Sequence, residues 1–275
     1  MGRCARTTGV IYFIAMVLPL AAGGVPISSA TVSDPHSLST GKLSPSSNLA
    51  RLTAFPEKLI FDVSWGLMSV GQATMQIEEI VSFNGAPAYH VVSEAKSNNF
   101  CDALYKVRDI NESWIDARRL ESLGYSKKLR EGRFFRDEWV LYDRAAGAFL
   151  SKKVNRDSSF EWSGGTIPVH VQDVLSSLYF VRSKRLEPGA EVIVDVNTKR
   201  TWPLVIRVLK RETIKTPAGK FSCVVVEPAL REEGIFIQKG RNLQIWLTDD
   251  ERKIPVRMSV EVFFGHVTAS LAKML

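Results

Sequence analysis

The sequence predicts a mainly β protein: a curved antiparallel sheet, or open β-barrel, with one amphipathic helix packed on it. Three observations carry this. From Phe55 onward, short segments alternate between apolar and polar residues, the period of a strand with one buried face. Turn signals separate these segments, and Asn84-Gly85 is the strongest hairpin signal among them. One segment, within 171–181, places its apolar residues at helical spacing instead.

In the first predicted strand, Leu59, Phe61, Val63 and Trp65 share one face while Ile60, Asp62 and Ser64 share the other. Ala73, Met75 and Ile77 repeat the pattern beyond a turn at Gly66. A strand over 89–95 follows Asn84-Gly85, and then a short helical piece near 100–104. Further strands are predicted at 107–115, 123–129, 134–142 and 149–154. In the second half they fall at 191–196, 204–211, 221–227, 243–247, 255–262 and 266–271, divided by Pro188-Gly189, Pro217-Ala218-Gly219 and Asp249-Asp250. Val171, Val174, Leu175, Leu178 and Val181 form the apolar stripe of the helix, with Asp173 at its cap or in its first turn. A single such helix among strands must bury its stripe on the sheet. Many short strands in series suit a closed or half-closed barrel, which leaves fewer exposed edges.

Residues 1–30 read as a cleavable signal peptide. Arg3 and Arg6 supply the positive start, Val10 through Ala22 is an apolar run of 13 residues, and small residues lead to Ala30. A membrane-spanning helix needs about 20 apolar residues, and Pro19, Gly23 and Gly24 interrupt this run. Residues 31–54, rich in Ser, Thr and Pro, are expected to be a disordered tether, which leaves 55–275 as the β domain. Cys4 precedes the apolar run, so no cysteine after it can accept a lipid. The expected product is a free periplasmic protein with no transmembrane anchor after cleavage. The chain carries a formal charge of +7, from 36 basic and 29 acidic residues; without the two arginines of residues 1–30 it is +5. That mild excess bears on solubility and encounter rather than on fold. Nucleic acid is not an expected partner in this compartment.

Signatures of chemistry are sparse. The four histidines, His36, His90, His170 and His266, are not within ligand spacing of one another, so neither metal nor cofactor is expected. The Gly66-Leu67-Met68-Ser69-Val70-Gly71 stretch has its serine one place late for a nucleophile elbow and reads as a hairpin loop. Asp109, Glu112 and Asp116 form one acidic group and Asp249, Asp250 and Glu251 another. Paired acids can run acid and base chemistry, but ion pairing explains the first group and turn chemistry the second. Lys128, Arg130, Arg133 and Arg136 are candidate anion contacts on a basic hairpin whose interleaved Glu131, Asp137 and Glu138 offer the alternative of ion pairing. Cys101 and Cys223 remain after cleavage. They form either a disulfide, which an oxidising compartment permits, or two buried thiols.

Several blocks resemble one bacterial family, domain of unknown function 3108. They include 57–65 with Gly71-Gln72-Ala73, 105–109, Ser113-Trp114-Ile115-Asp116, Leu129-Arg130-Glu131-Gly132, 172–179 and 245–256. The resemblance spans 56–274. It implies an antiparallel β half-barrel like the envelope lipoprotein carriers, whose concave face holds acyl chains, and it designates no catalytic residues. Two functional readings follow. In the first, a carrier module binds a lipid or other apolar envelope ligand in a cavity lined by Trp65, Met75, Trp114, Trp139 and Trp246, with the basic hairpin near an anionic head group. In the second, an envelope scaffold joins a protein partner without a small-molecule ligand. A hydrolase using Asp109 and Glu112 is the least favoured reading.

Overall fold

The computed structural model describes residues 35–43, 56–198, 200–229, 242–262 and 264–275. The segment read as a signal peptide lies outside them. The strands of the first half are β1 (Ser39–Lys42), β2 (Glu57–Trp65), β3 (Met68–Phe83), β4 (Ala86–Ser97), β5 (Arg108–Asp116), β6 (Ser122–Glu131), β7 (Phe134–Asp143), β8 (Ala148–Val154) and β9 (Phe160–Thr166). Those of the second are β10 (Val171–Gln172), β11 (Glu191–Asn197), β12 (Thr201–Thr216), β13 (Gly219–Ala229), β14 (Leu243–Thr248), β15 (Pro255–Glu261) and β16 (His266–Met274). Three helices join them: α1 (Pro35–Leu38), α2 (Asn99–Asp102) and α3 (Val174–Arg182).

All sixteen strands belong to one sheet. From β2 the path runs through consecutive hairpin neighbours to β9, and from β16 back through β11 to β10. The two halves are joined where β16 pairs antiparallel with β2, Val267 opposite Trp65 and Leu271 opposite Phe61. The path ends at β9 and β10 without closing into a barrel. Every pairing is antiparallel except β10 with β11. Because hairpin neighbours alternate in direction, the connections fall into two sets, one at each end of the sheet. Gly71 permits one close approach: a Cβ there would stand 2.2 Å from the Lys96 carbonyl oxygen on β4, so only glycine fits.

The amphipathic helix is α3. Its cap is Asp173, whose Oδ1 accepts from the amides of Leu175 and Ser176, while the Ser176 hydroxyl oxygen accepts from the Asp173 backbone N–H at 2.8 Å. The helix begins later than its apolar stripe suggests. Val171 lies in β10, opposite Asp195, because the extended backbone of Asp173 ends the strand and starts the helix. Val181 and the edge of Leu178 pack on Val194, Val196, Ile206, Val226 and Leu247, while Leu175 and Tyr179 join the larger core of Leu59, Phe61, Met75 and Tyr125.

Two expectations need correction. Within the stretch read as a disordered tether, Pro35–Leu38 forms a helical turn and Ser39–Lys42 a strand paired to β3, Ser39 opposite Phe83. Strand β9 was not foreseen, since Phe160–Thr166 exposes most of both faces and so shows no alternation.

Candidate functional site

A cavity of about 160 Å³, partly open on one side, lies between α3 and the concave face of the sheet. Phe61, Met75, Leu175, Leu178, Ile206, Val226, Ile245 and Met258 contribute to its lining. Its few polar lining residues include Thr74 on β3 and Ser177 on α3, and at the wall made by β4–β6 Tyr125 donates its hydroxyl hydrogen to Asn111 Oδ1 at 2.9 Å beside Ser93. Burial pushes the Tyr125 phenol up, with the nearby Asp173 and Glu138 adding to the effect, so it stays a neutral donor at physiological pH.

Beyond that wall the same face of β5–β7 turns polar and stays buried. Lys127 pairs with Glu138 at 2.9 Å, the two side chains 3% and 5% exposed. Further along, Asp109 and Glu131 approach each other. Burial first, and then the Asp109 carboxylate, push Glu131 up to about 8; Asp109 is also raised, chiefly by burial. Arg136 belongs to this layer, buried, with its Nε and Nη1 making no hydrogen bond among the described residues and its guanidinium 5.3 Å from the Phe134 ring.

The raised Glu131 sets a pH dependence. Between the ordinary glutamate value of about 4.3 and about 8, the folded protein holds a proton that the unfolded chain has released. Stability from this group is therefore full below the window and is lost as pH rises through it. Glu131→Gln cannot ionise, so its advantage in melting temperature over the parent is expected to grow from about pH 5 to about pH 9. Thermal melts across that range check this, and a constant difference contradicts it.

Of the five residues expected to line a cavity, Met75 does so. Trp65 packs on the core with its Nε1 donating to the Phe264 carbonyl at 2.5 Å. Trp114 is fully buried in a separate cluster with Val81, Phe83, Ala88 and Leu123, and stacks on His90 at 4.9 Å. Trp139 is half-buried on β7, opposite Ser126 and Lys152. Trp246 donates from Nε1 to Glu212 Oε1 at 2.6 Å and carries the Arg257 guanidinium over its ring. The cavity is lined mainly by aliphatic side chains of α3 and of the strands; the alternation of Phe61, Ala73 and Met75 and the helical stripe of Val174, Leu175, Leu178 and Val181 carried a sequence signal for part of it.

The basic hairpin does not form one patch. Arg130 makes a bidentate pair with Asp137, at 2.6 and 3.1 Å, and lies over Phe135; Lys128 Nζ is 3.9 Å from Glu112. Arg133 is exposed at the turn, and Arg136 points inward. The ion-paired alternative therefore describes Lys128 and Arg130. Asp109 and Glu112 alternate onto opposite faces of β5, so they cannot act on one group. Glu112 instead gathers two histidines that the sequence keeps apart, His36 Nε2 at 3.0 Å and His90 Nε2 at 3.4 Å. Burial alone would raise Glu112, but the hydrogen bonds from His90 and His36 outweigh it and hold the carboxyl below its usual value. No group of three ligand-type residues among the described residues is arranged to hold a metal ion.

Cys101 and Cys223 are free, buried thiols. Cys101 sits on α2 in the connection after β4, whereas Cys223 pairs opposite Glu212 and Thr248 towards the other end of the sheet. Burial raises both, Cys223 to about 11, which leaves them protonated and unreactive.

The fold and cavity define an open, β-barrel-like protein whose concave face is covered by one helix. The chain belongs to the family described as protein of unknown function DUF3108, whose model matches residues 60–272. Among solved structures, it resembles a β-barrel-like protein of the domain of unknown function DUF1849 from Brucella abortus. The TM-score is 0.51 at 10% identity, over 80% of this chain and 97% of that one. A candidate lipoprotein from Parabacteroides distasonis aligns over 81% of this chain and 96% of its own, with a TM-score of 0.32 and 9% identity. No curated protein sequence matches the chain. Among the described residues, no helix is long and apolar enough to cross a membrane.

Proposed function

We propose that this is an exported, periplasmic binding or carrier module for an apolar, lipid-like ligand of the cell envelope. The supporting observation is the apolar cavity beneath α3, about 160 Å³ in volume. That is the order of the ~150 Å³ cavities that stay dry and admit benzene-sized molecules. It suits one apolar group or the end of a chain that continues through the open side, since sites for whole drug-sized ligands are larger, roughly 300–1,000 Å³. Export rests on the pattern of residues 1–30. The test is mass spectrometry of lipid extracted from protein purified out of its native envelope, together with titration of a fluorescent fatty-acid probe. Leu178→Trp, which fills the cavity from α3, is expected to weaken the probe at least about tenfold, because each displaced CH₂ is worth about 0.8 kcal/mol. Neither co-purifying lipid nor probe binding would remove the reading.

A second reading, an envelope scaffold, draws support from β9. It forms an open edge of the sheet with Phe160 and Trp162 exposed, and such an edge can accept a strand from another chain. Crosslinking from β9 in intact cells tests it. A reproducible protein partner supports the scaffold, and self-crosslinks alone count against it.

A further inference from the structure

One end of the open barrel differs from the other. The alternating strand directions bring together there the connections β2–β3, β4–β5, β6–β7, β8–β9, β11–β12 and β15–β16. Large apolar side chains stand exposed on this rim: Leu67 at the β2–β3 turn is 106% exposed, Leu104 and Phe100 after β4 are 80% and 65%, and Phe264 before β16 is 62%. Phe160, at the start of β9, adds another at 56%. Between them stand Lys106, Arg133 and Arg156, and Arg200 lies on the same end at the β11–β12 connection, all exposed. Of these, the three arginines make no ion pair among the described residues. The opposite end exposes fewer large apolar side chains, Val169 and Leu275 among them, and carries charges of both signs held in pairs, Arg144 with Asp116 and Glu121, and Arg211 with Glu187 and Asp249.

We propose that this rim is a docking surface for an anionic lipid bilayer. Exposed apolar side chains with flanking cations are what an interface of acyl chains and anionic head groups recognises. The tips from the β15–β16 turn to β9 are spread over roughly 40 Å of sheet, at about 4.8 Å per strand. A surface can contact tips spread this far apart, whereas a helix laid in a groove needs one continuous contact. Leu67 projects beyond any packing partner at a turn whose Gly66 has φ +57°, so the fold gains nothing from an apolar residue there. The cavity adjoins the same end, where Leu204, Pro228 and Leu243 close its wall near the ends of β12, β13 and β14. Docking would therefore bring the cavity towards the membrane. The inference stands on the rim alone, since the Leu178→Trp variant that tests the carrier reading should still dock.

The experiment is co-sedimentation of the exported protein with vesicles of phosphatidylglycerol and phosphatidylethanolamine, against neutral phosphatidylcholine vesicles, at low and high salt. Binding to the anionic vesicles is expected, weakened by salt. The double variant Leu67→Ser with Leu104→Ser should lose at least about tenfold in vesicle affinity with its melting temperature unchanged, since both side chains are exposed. Arg133→Glu with Arg156→Glu should abolish the preference for anionic vesicles. No binding at low salt, or binding that the Leu67 and Leu104 changes leave intact, overturns the proposal. Crosslinks from Leu67 to a protein in cells, without vesicle binding, overturn it in favour of a protein partner.

Discussion

Asp173→Ala is expected to lower stability by about 3–5 kcal/mol, because four hydrogen bonds to one buried carboxyl disappear together. Asp173 is completely buried. Oδ1 takes the amides of Leu175 and Ser176, the second and third of α3, and Oδ2 takes the hydroxyls of Ser113 on β5 at 2.6 Å and Ser122 on β6 at 2.5 Å. Burial raises the carboxyl even against these four bonds. Truncation leaves two buried hydroxyls and the helix amides without partners, and it frees α3 from the sheet whose cavity it covers. At roughly 2–4 °C per kcal/mol for a domain of this size, the melting temperature should fall by about 10 °C. Asp173→Asn keeps an acceptor for the cap and should lose less. Thermal and urea denaturation of the two variants measure this, and a loss for the alanine variant under about 1 kcal/mol would contradict the latch.

That residue marks how far sequence reasoning reached. As a cap, Asp173 was readable, because an aspartate before an apolar stripe of helical spacing is a local signal. Its bonds to Ser113 and Ser122 were not, since they depend on how a sheet of sixteen strands curves. The same division runs through the fold. Alternation located Glu57–Trp65 and the strands from β5 to β8 to within a few residues, because one face of each is buried. It failed at Phe160–Thr166, where neither face is. For the site, composition drew attention to tryptophans, which carry large buried area wherever they sit. The cavity is instead the gap left by the aliphatic side chains of α3 and the second-half strands, and a gap has no residue of its own in the sequence. The Asp109 and Glu131 pair, and the meeting of His36 and His90 on Glu112, were equally hidden, as each joins residues distant in the chain. The basic hairpin showed its cations but not their directions. One strand step decides whether Arg130 meets Asp137 outside or Arg136 turns into the interior.

The other end of α3 gives the second large effect. Arg182, in its last turn, forms a bidentate pair with Glu57 at the start of β2: Nη1 to Oε1 at 2.8 Å and Nη2 to Oε2 at 2.6 Å, with side chains only 6% and 2% exposed. Nε and Nη2 also donate to the Arg252 carbonyl, and the guanidinium lies 4.9 Å from the Tyr179 ring. One residue therefore ties the helix to the first strand of the domain and to the turn before β15. Burial works against the guanidinium charge, but the hydrogen bonds and charge of Glu57 outweigh it and raise Arg182 above the usual arginine value. Arg182→Met leaves the Glu57 carboxylate buried without its partner and is expected to cost about 3–5 kcal/mol; Glu57→Leu, which strands the guanidinium, should cost a similar amount. Combining them removes both charges, so the double variant should recover most of the loss and show a coupling of about 2 kcal/mol or more in the cycle. Denaturant titration of the four proteins decides the matter. Single variants within about 0.5 kcal/mol of the parent would mean the pair is solvated in solution. Strict additivity would mean that the two residues act separately, and that α3 is held by Asp173 and its apolar stripe alone.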